Sequence, residues 1–331
     1  MVNFVALALA LAAPAHDTIP EFWAPHRVYD SHHKRFSDFE ALVEAASAAD
    51  VVLLGEHHDD PGTHLMELAL LQEIARRRDN VVVTLEMFER DVQPALDRYL
   101  AGAIPEDSFL EIARPWPNYP TDYRPLVEFA KAHHWRVVAG NVPRRMAAAV
   151  SARGLDAVTR LSDSTRAWAA ADIECPRDDY FKRFQAAMGD HPMGSGTPTT
   201  PQVLAATTER FYLAQCLKDE TMAESIARVR SDASRPLVIQ YNGDFHSDYG
   251  EGTAARVRRR LPGARVVVIS AVPVATLDSI KAKPLRKQGD WLLFTLGAPP
   301  AEAAAGLSAP GAMGLISTPR AHSSVGRAIA F

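Results

Sequence analysis

The chain predicts an α/β fold: a central, mostly parallel sheet with helices on both faces and an inserted helical subdomain. Three observations carry that expectation. Short runs of consecutive apolar residues recur along the chain, segments with helical spacing separate them, and one long stretch has no strand pattern at all. Strands buried on both faces read as continuous apolar runs because neither side meets water, and helices between them supply the crossovers that parallel pairing needs.

The first strand is Val51–Leu54, followed by "THLMELALLQEIARRR", whose apolar residues recur at helical spacing and whose arginines sit at the end favoured by the helix dipole. Val81–Met87 is the second strand and "DVQPALDRYLAG" its helix; "RPLVEFAKAHH" is a helix leading into a third strand, Arg136–Asn141. "PRRMAAAVSARG" has Pro143 where a helix starts and Gly154 where it ends. Pro236–Gly243, a helix through Arg260, Arg265–Ser270 and Asp290–Thr295 complete the pattern. The strandless block holds "DDYFKRFQAAMG", the loop "GDHPMGSGTPTTPQ", and a long helix from about Gln202 to Arg230. In that helix Phe211, Ala214, Leu217, Met222, Ile226 and Val229 form an apolar stripe. The organisation expected is therefore a core of 16–154 plus 236–299, a helical insertion over 155–235 capping one end of the sheet, and a poorly ordered tail over 300–331.

With 47% hydrophobic and 23% charged residues the chain is an ordinary globular composition, and a net charge of -4 leaves no electrostatic footprint for nucleic acid. The basic run "RVRRRLPGAR" reads as the solvated face of a surface helix. The first 15 residues form a short apolar run ending in Ala13, Pro14 and Ala15, the shape of a signal peptide, although the usual basic start is missing. Export, in the periplasmic sense, is expected. That run is too short to span a bilayer, and no cysteine follows it to carry a lipid anchor. The two cysteines, Cys175 and Cys216, read equally well as a disulfide or as two buried thiols.

Ligands in open parallel sheets bind beyond the carboxyl ends of the strands, so the residues behind each apolar run matter most. Those positions hold Glu56, His57 and His58; Glu86; Asn141, Arg144 and Arg145; and Asn242, Asp244 and His246. Neutral imidazoles with a carboxylate suit a divalent metal, with His58, His246 and Glu86 as the ligands. They equally suit metal-free acid–base chemistry by Glu56, His58, Glu86 and His246, with Arg144 stabilising a developing oxyanion. Glu56 reads as a ligand, an orienting group or the cap of the following helix. His57 and His64 read as supporting or surface residues.

"LLGEHHDDPGTH", "LEMFERDVQPALDRYLAG", "VVAGNVPRR", "FYLAQCLKDETMAESIA" and "NGDFHSDYGEG", in that order, resemble the ChaN-like haem-binding uptake family of the Tiki/TraB superfamily. Erythromycin esterases are distantly similar to the same superfamily. The resemblance runs from about Leu53 to Thr295 and implies two G-x-x-H motifs, Gly55/His58 and Gly243/His246, with strand-end carboxylates at Glu86 and Glu56. It also implies an exported protein of haem and iron uptake, a helical subdomain used for dimerisation, and haem ligation by a tyrosine. Tyr119, Tyr123, Tyr180, Tyr212 and Tyr249 are all open as that ligand. Haem handling is thus the leading reading, and a hydrolase built on His58, His246, Glu56 and Glu86, with or without metal, is the alternative.

Overall fold

A computed structural model describes residues 24–189 and 200–297. The expected signal peptide, most of the "GDHPMGSGTPTTPQ" loop and the expected tail lie outside these residues. In chain order the elements are β1 (His26–Asp30), β2 (Arg35–Ser37), α1 (Phe39–Ser47), β3 (Val51–Glu56), α2 (Pro61–Ala75), β4 (Val81–Glu89), α3 (Gln93–Leu100) and α4 (Glu106–Ala113). They continue with α5 (Arg124–Ala132), β5 (Arg136–Asn141), α6 (Arg144–Arg153), α7 (Asp156–Thr159), α8 (Asp163–Arg166), α9 (Asp179–Gly189) and α10 (Pro201–Arg230). The last are β6 (Leu237–Gly243), α11 (Gly252–Arg260), β7 (Val266–Val274), α12 (Ala282–Leu285) and β8 (Trp291–Leu296).

The strands form one eight-stranded sheet ordered β2-β1-β8-β7-β3-β6-β4-β5. From β8 to β5 every pairing is parallel, and β1 runs antiparallel to both β8 and β2. The apolar runs thus give the parallel body of the sheet. The antiparallel edge carries no such run: β1 is "HRVYD" with its start exposed, and β2 is three residues in the open. Short, charged edge strands of this kind limit pairing with other chains.

Alternate residues of each strand serve opposite faces. Val52, Leu54, Val83, Leu85, Val137 and Ile239 join α1 to α5 in one core, while Val51, Leu53, Val82, Val138, Val238 and Val268 join α10 and α11 in the other. The last turns of the 30-residue α10 lie on this second face through Ala223, Ile226 and Val229, and its middle packs on α6 through Ala214 and Leu217. At about 1.5 Å per residue the helix is about 45 Å long, enough to cover the sheet and reach past its carboxyl edge. Its central residues therefore stand beside the strand ends. Cys175 and Cys216 are joined in a disulfide that ties the segment before α9 to that same stretch of α10.

Candidate functional site

β3 and β6 are neighbours in parallel register, with Glu56 opposite Gly243 and Gly55 opposite Asn242. The two G-x-x-H motifs are therefore side by side, and each glycine makes room for the other motif. A Cβ on Gly243 would lie 2.7 Å from His58 Nε2, and one on Gly55 would lie 2.8 Å from Ser247 Oγ and 2.9 Å from Asp244 Cα. The turn Asp244–His246 can settle onto β3, and the His58 ring onto β6, only because both positions lack a side chain.

Two buried histidine–carboxylate systems result. In the first, His58 Nδ1 donates to Glu56 Oε1 at 2.6 Å, and the Tyr123 hydroxyl donates to the same oxygen at 2.7 Å. The Trp116 ring stands edge-on to His58, with centroids 4.8 Å apart, and His58 Nε2 is buried without a hydrogen-bond partner. In the second, His246 Nδ1 donates to Asp219 Oδ1 at 2.7 Å and Nε2 faces Glu86 Oε1 at 3.2 Å. Asp219 also accepts from Tyr180 and Thr253, and Glu86 Oε2 accepts the Gly243 N–H at 2.9 Å. Glu86 thus ties His246 to the glycine against which His58 rests. Asn141 is turned inward, donating to the Glu86 carbonyl at 3.1 Å.

Burial alone would push Glu86 up, but the charge of His246, with smaller help from His58 and Lys218, holds it at about 2. Burial pulls His246 down, and Glu86 and Asp219 outweigh it, raising the imidazole to about 9. Desolvation likewise opposes ionisation of Glu56, yet His64 and His58 keep it at about 2. His64 follows the same logic: burial lowers it, while Glu56 and Glu67 lift it to about 10. Glu67, buried beside the Glu56 charge, is raised well above the usual carboxylate range.

Glu56, His58, Glu86 and His246 are therefore in one place. Arg144 is not in contact with them: it is half-exposed, gives its Nε to Glu89 at 2.6 Å, and belongs to a surface ion-pair network with Arg114, Asp91 and Arg145. Glu56 is not the cap of α2; Asp60 is, its carboxylate accepting the Thr63 N–H at 2.9 Å. His57 sits at the rim, 3.2 Å from Asp244. Among the described residues, one group of three brings metal-ligating atoms within 4.8 Å of one another: Glu56, His64 and Glu67. It is not the expected trio of His58, His246 and Glu86.

Sequence reasoning missed Asp219 and Glu67, and it placed His64 outside the network that it joins. A signal existed for the first. Gln215, Asp219, Met222, Ile226 and Val229 follow one helical stripe, and a carboxylate on an apolar stripe has to be neutralised by a partner.

The five tyrosines separate cleanly. Tyr119, Tyr123, Tyr180 and Tyr212 are buried, the hydroxyls of the last three given to Glu56, Asp219 and the Pro176 carbonyl. Tyr249 is 45% exposed. It is held at φ 62°, its N–H donates to the Gln288 carbonyl at 2.7 Å, and the Arg183 guanidinium lies 3.9 Å from its ring centroid.

No helix among the described residues is long and apolar enough to cross a membrane. No curated protein sequence matches the chain. In structure it is similar to ChaN of Campylobacter jejuni, solved with haem bound cofacially, at 16% identity and a TM-score of 0.59, covering 82% of this chain and 97% of that one. An erythromycin esterase mutant in its open conformation is more distant, at 13% identity and a TM-score of 0.41, covering 78% and 79%. Residues 42–257 match the family described as haem-binding uptake, Tiki superfamily, ChaN. With more than half of the chain matched in this way, the protein belongs to the ChaN haem-binding uptake family of the Tiki superfamily.

Proposed function

We propose that the protein binds haem through Tyr249 and serves haem and iron uptake as an exported factor. The observation that carries the reading is the exposure of Tyr249 among five candidates, four of which are enclosed. A porphyrin is too large to reach a phenol inside the core, and haem needs an axial ligand together with an open face. Arg183 over the ring fixes its orientation and adds a contact worth about 0.5–1 kcal/mol at an exposed site. Gln288, whose carbonyl accepts the Tyr249 N–H, directly follows in sequence the residues Lys283, Arg286 and Lys287, which with Pro284 line an open pocket of about 340 Å³ and offer cations of the kind propionates need. When bound, haem supplies an iron centre; the chain contributes the phenol, the guanidinium that orients it and cations for carboxylates. Dimerisation through the helical insertion belongs to the same reading, supported by exposed Val203 and Leu204 at the start of α10.

Titration of the purified protein with haemin tests this. A saturable, shifted Soret band is expected, lost in Tyr249→Phe and kept in Tyr119→Phe, Tyr123→Phe, Tyr180→Phe and Tyr212→Phe. A flat titration of the unaltered protein at micromolar concentration removes the reading.

One observation favours hydrolysis as a second activity. His58 has its Nδ1 fixed by a buried carboxylate and its Nε2 unpartnered, the arrangement of a general base aimed by an acid. In that reading Glu56 orients His58, and His246 with Glu86 binds or protonates the substrate oxygen. Groups that act as one unit are strongly non-additive. Against an ester and peptide panel, the His58→Ala/His246→Ala double variant should lose little more than either single variant. Independent, additive losses would argue against a shared site.

A further inference from the structure

We propose that Glu56, His64 and Glu67 form a binding site for a divalent transition-metal ion, one layer beneath His58. The three side chains are buried, and one ligand atom from each lies within 4.8 Å of the other two. His64 Nδ1 is 2.9 Å from Glu67 Oε2 and 3.6 Å from Glu56 Oε2. In a tetrahedral shell with metal–ligand bonds of about 2.0–2.1 Å, neighbouring ligand atoms stand about 3.3–3.4 Å apart, so these separations bracket what an ion requires. Two further facts point to a cation at this place. Glu56 Oε2 and Glu67 Oε1 are buried with no hydrogen-bond partner, so the two carboxylates depend on a positive charge held inside the cluster, a proton on His64 or a metal ion in its place. On the far side of the ring His64 Nε2 lies 3.3 Å from the His58 carbonyl, which can only accept. A metal ion would take the place of the Nδ1 proton that Glu67 accepts in the metal-free cluster; with the remaining proton on Nε2, the Nδ1 lone pair is directed at the carboxylates, the outer-shell arrangement that fixes the tautomer of metal-bound imidazoles.

The donor set of one imidazole and two carboxylates takes zinc, manganese, iron or cobalt in the divalent state. The ion touches no substrate. It acts through Glu56, whose other oxygen receives His58 Nδ1 and the Tyr123 hydroxyl, so it is a positioning site for His58. The inference is independent of haem binding.

The competing, metal-free arrangement has a protonated His64 beside a proton shared between the two carboxylates, and Glu67→Gln separates it from the metal site. An amide of the same shape can replace a shared proton by donating to Glu56, but it cannot replace an anionic ligand. The experiment is metal analysis of the full chain, purified without chelator and, separately, refolded with zinc or manganese chloride and desalted. About one equivalent of metal is expected in the unaltered protein, about a tenth of that or less in Glu67→Gln and in His64→Gln, and an unchanged content in His246→Ala. Zinc or manganese should raise the melting temperature of the unaltered protein and leave that of Glu67→Gln where it was. The proposal is overturned by a metal-free protein after both treatments, by full metal content in Glu67→Gln, or by loss of the metal in His246→Ala alone.

Discussion

Gly243 and His58 meet across the β3–β6 pair, and the consequence can be tested one atom at a time. Gly243→Ala places a methyl 2.7 Å from His58 Nε2, a ring that is itself held by Glu56 and Trp116 and has little room to retreat. The expected result is a displaced His58 and an overpacking cost of about 1–3 kcal/mol, read as a fall in denaturation midpoint with any His58-dependent activity lost. The charges of the same site set a pH window. His246 is raised in the folded state, so its contribution is fully present below its ordinary value of 6.5 and is lost as pH rises through about 9. Glu86 is lowered, so its contribution is present above its ordinary value of 4.5 and is lost as pH falls through about 2. Both are in force between 4.5 and 6.5. Thermal melts across pH should fall off on either side of that interval, and His246→Ala should flatten the alkaline side. An alkaline limb as steep in His246→Ala as in the unaltered protein would mean that another group is responsible.

At the scale of elements, α10 carries two duties, and the disulfide bears on both. Its last turns cover the sheet, and its middle delivers Asp219 to His246, three residues beyond Cys216. The bridge closes a loop of 41 residues in sequence, which by chain entropy corresponds to about 4 kcal/mol, within the 2–4 kcal/mol usual for such links. Cys175→Ser or Cys216→Ser should lower stability by roughly 2–4 kcal/mol in denaturant melts, and reductant should destabilise the unaltered protein but leave the serine variants unmoved. An oxidising compartment, as the export reading supposes, is where such a bond persists. Ile226, wholly buried between α10 and the sheet, marks the other duty: truncation to alanine should cost about 2–5 kcal/mol while leaving the disulfide intact.

For the whole molecule, the parallel strands bring the buried histidines and carboxylates to their carboxyl ends, while the antiparallel β1–β2 pair forms one lateral margin of the sheet. The partner surface expected on the insertion includes Val203 and Leu204, exposed on the first turn of α10. Val203→Glu with Leu204→Glu should turn a dimer into a monomer in sedimentation velocity and remove any concentration dependence of the melting temperature. A chain that sediments as a monomer before substitution would end the dimer reading and leave haem binding by Tyr249 standing on its own.

Local pattern along the chain suffices for the parallel body of the sheet, because continuous apolar runs have no stable place except between two layers of helices. The same pattern brings Glu56, His58, Glu86 and His246 together, since residues that follow neighbouring parallel strands emerge at the same edge. The remaining features arise only when distant segments pack together. The roles of Asp219, His64 and Glu67 depend on which face of a helix is turned inward and on what it meets there, and those partners are far away in sequence. Which of the five tyrosines are enclosed and which is exposed, the basis for proposing Tyr249, depends on tertiary burial, which local pattern does not encode for an amphipathic ring. The disulfide depends on a Cα separation of 5.7 Å between residues 41 apart, a distance that exists only once the segment before α9 has packed on α10.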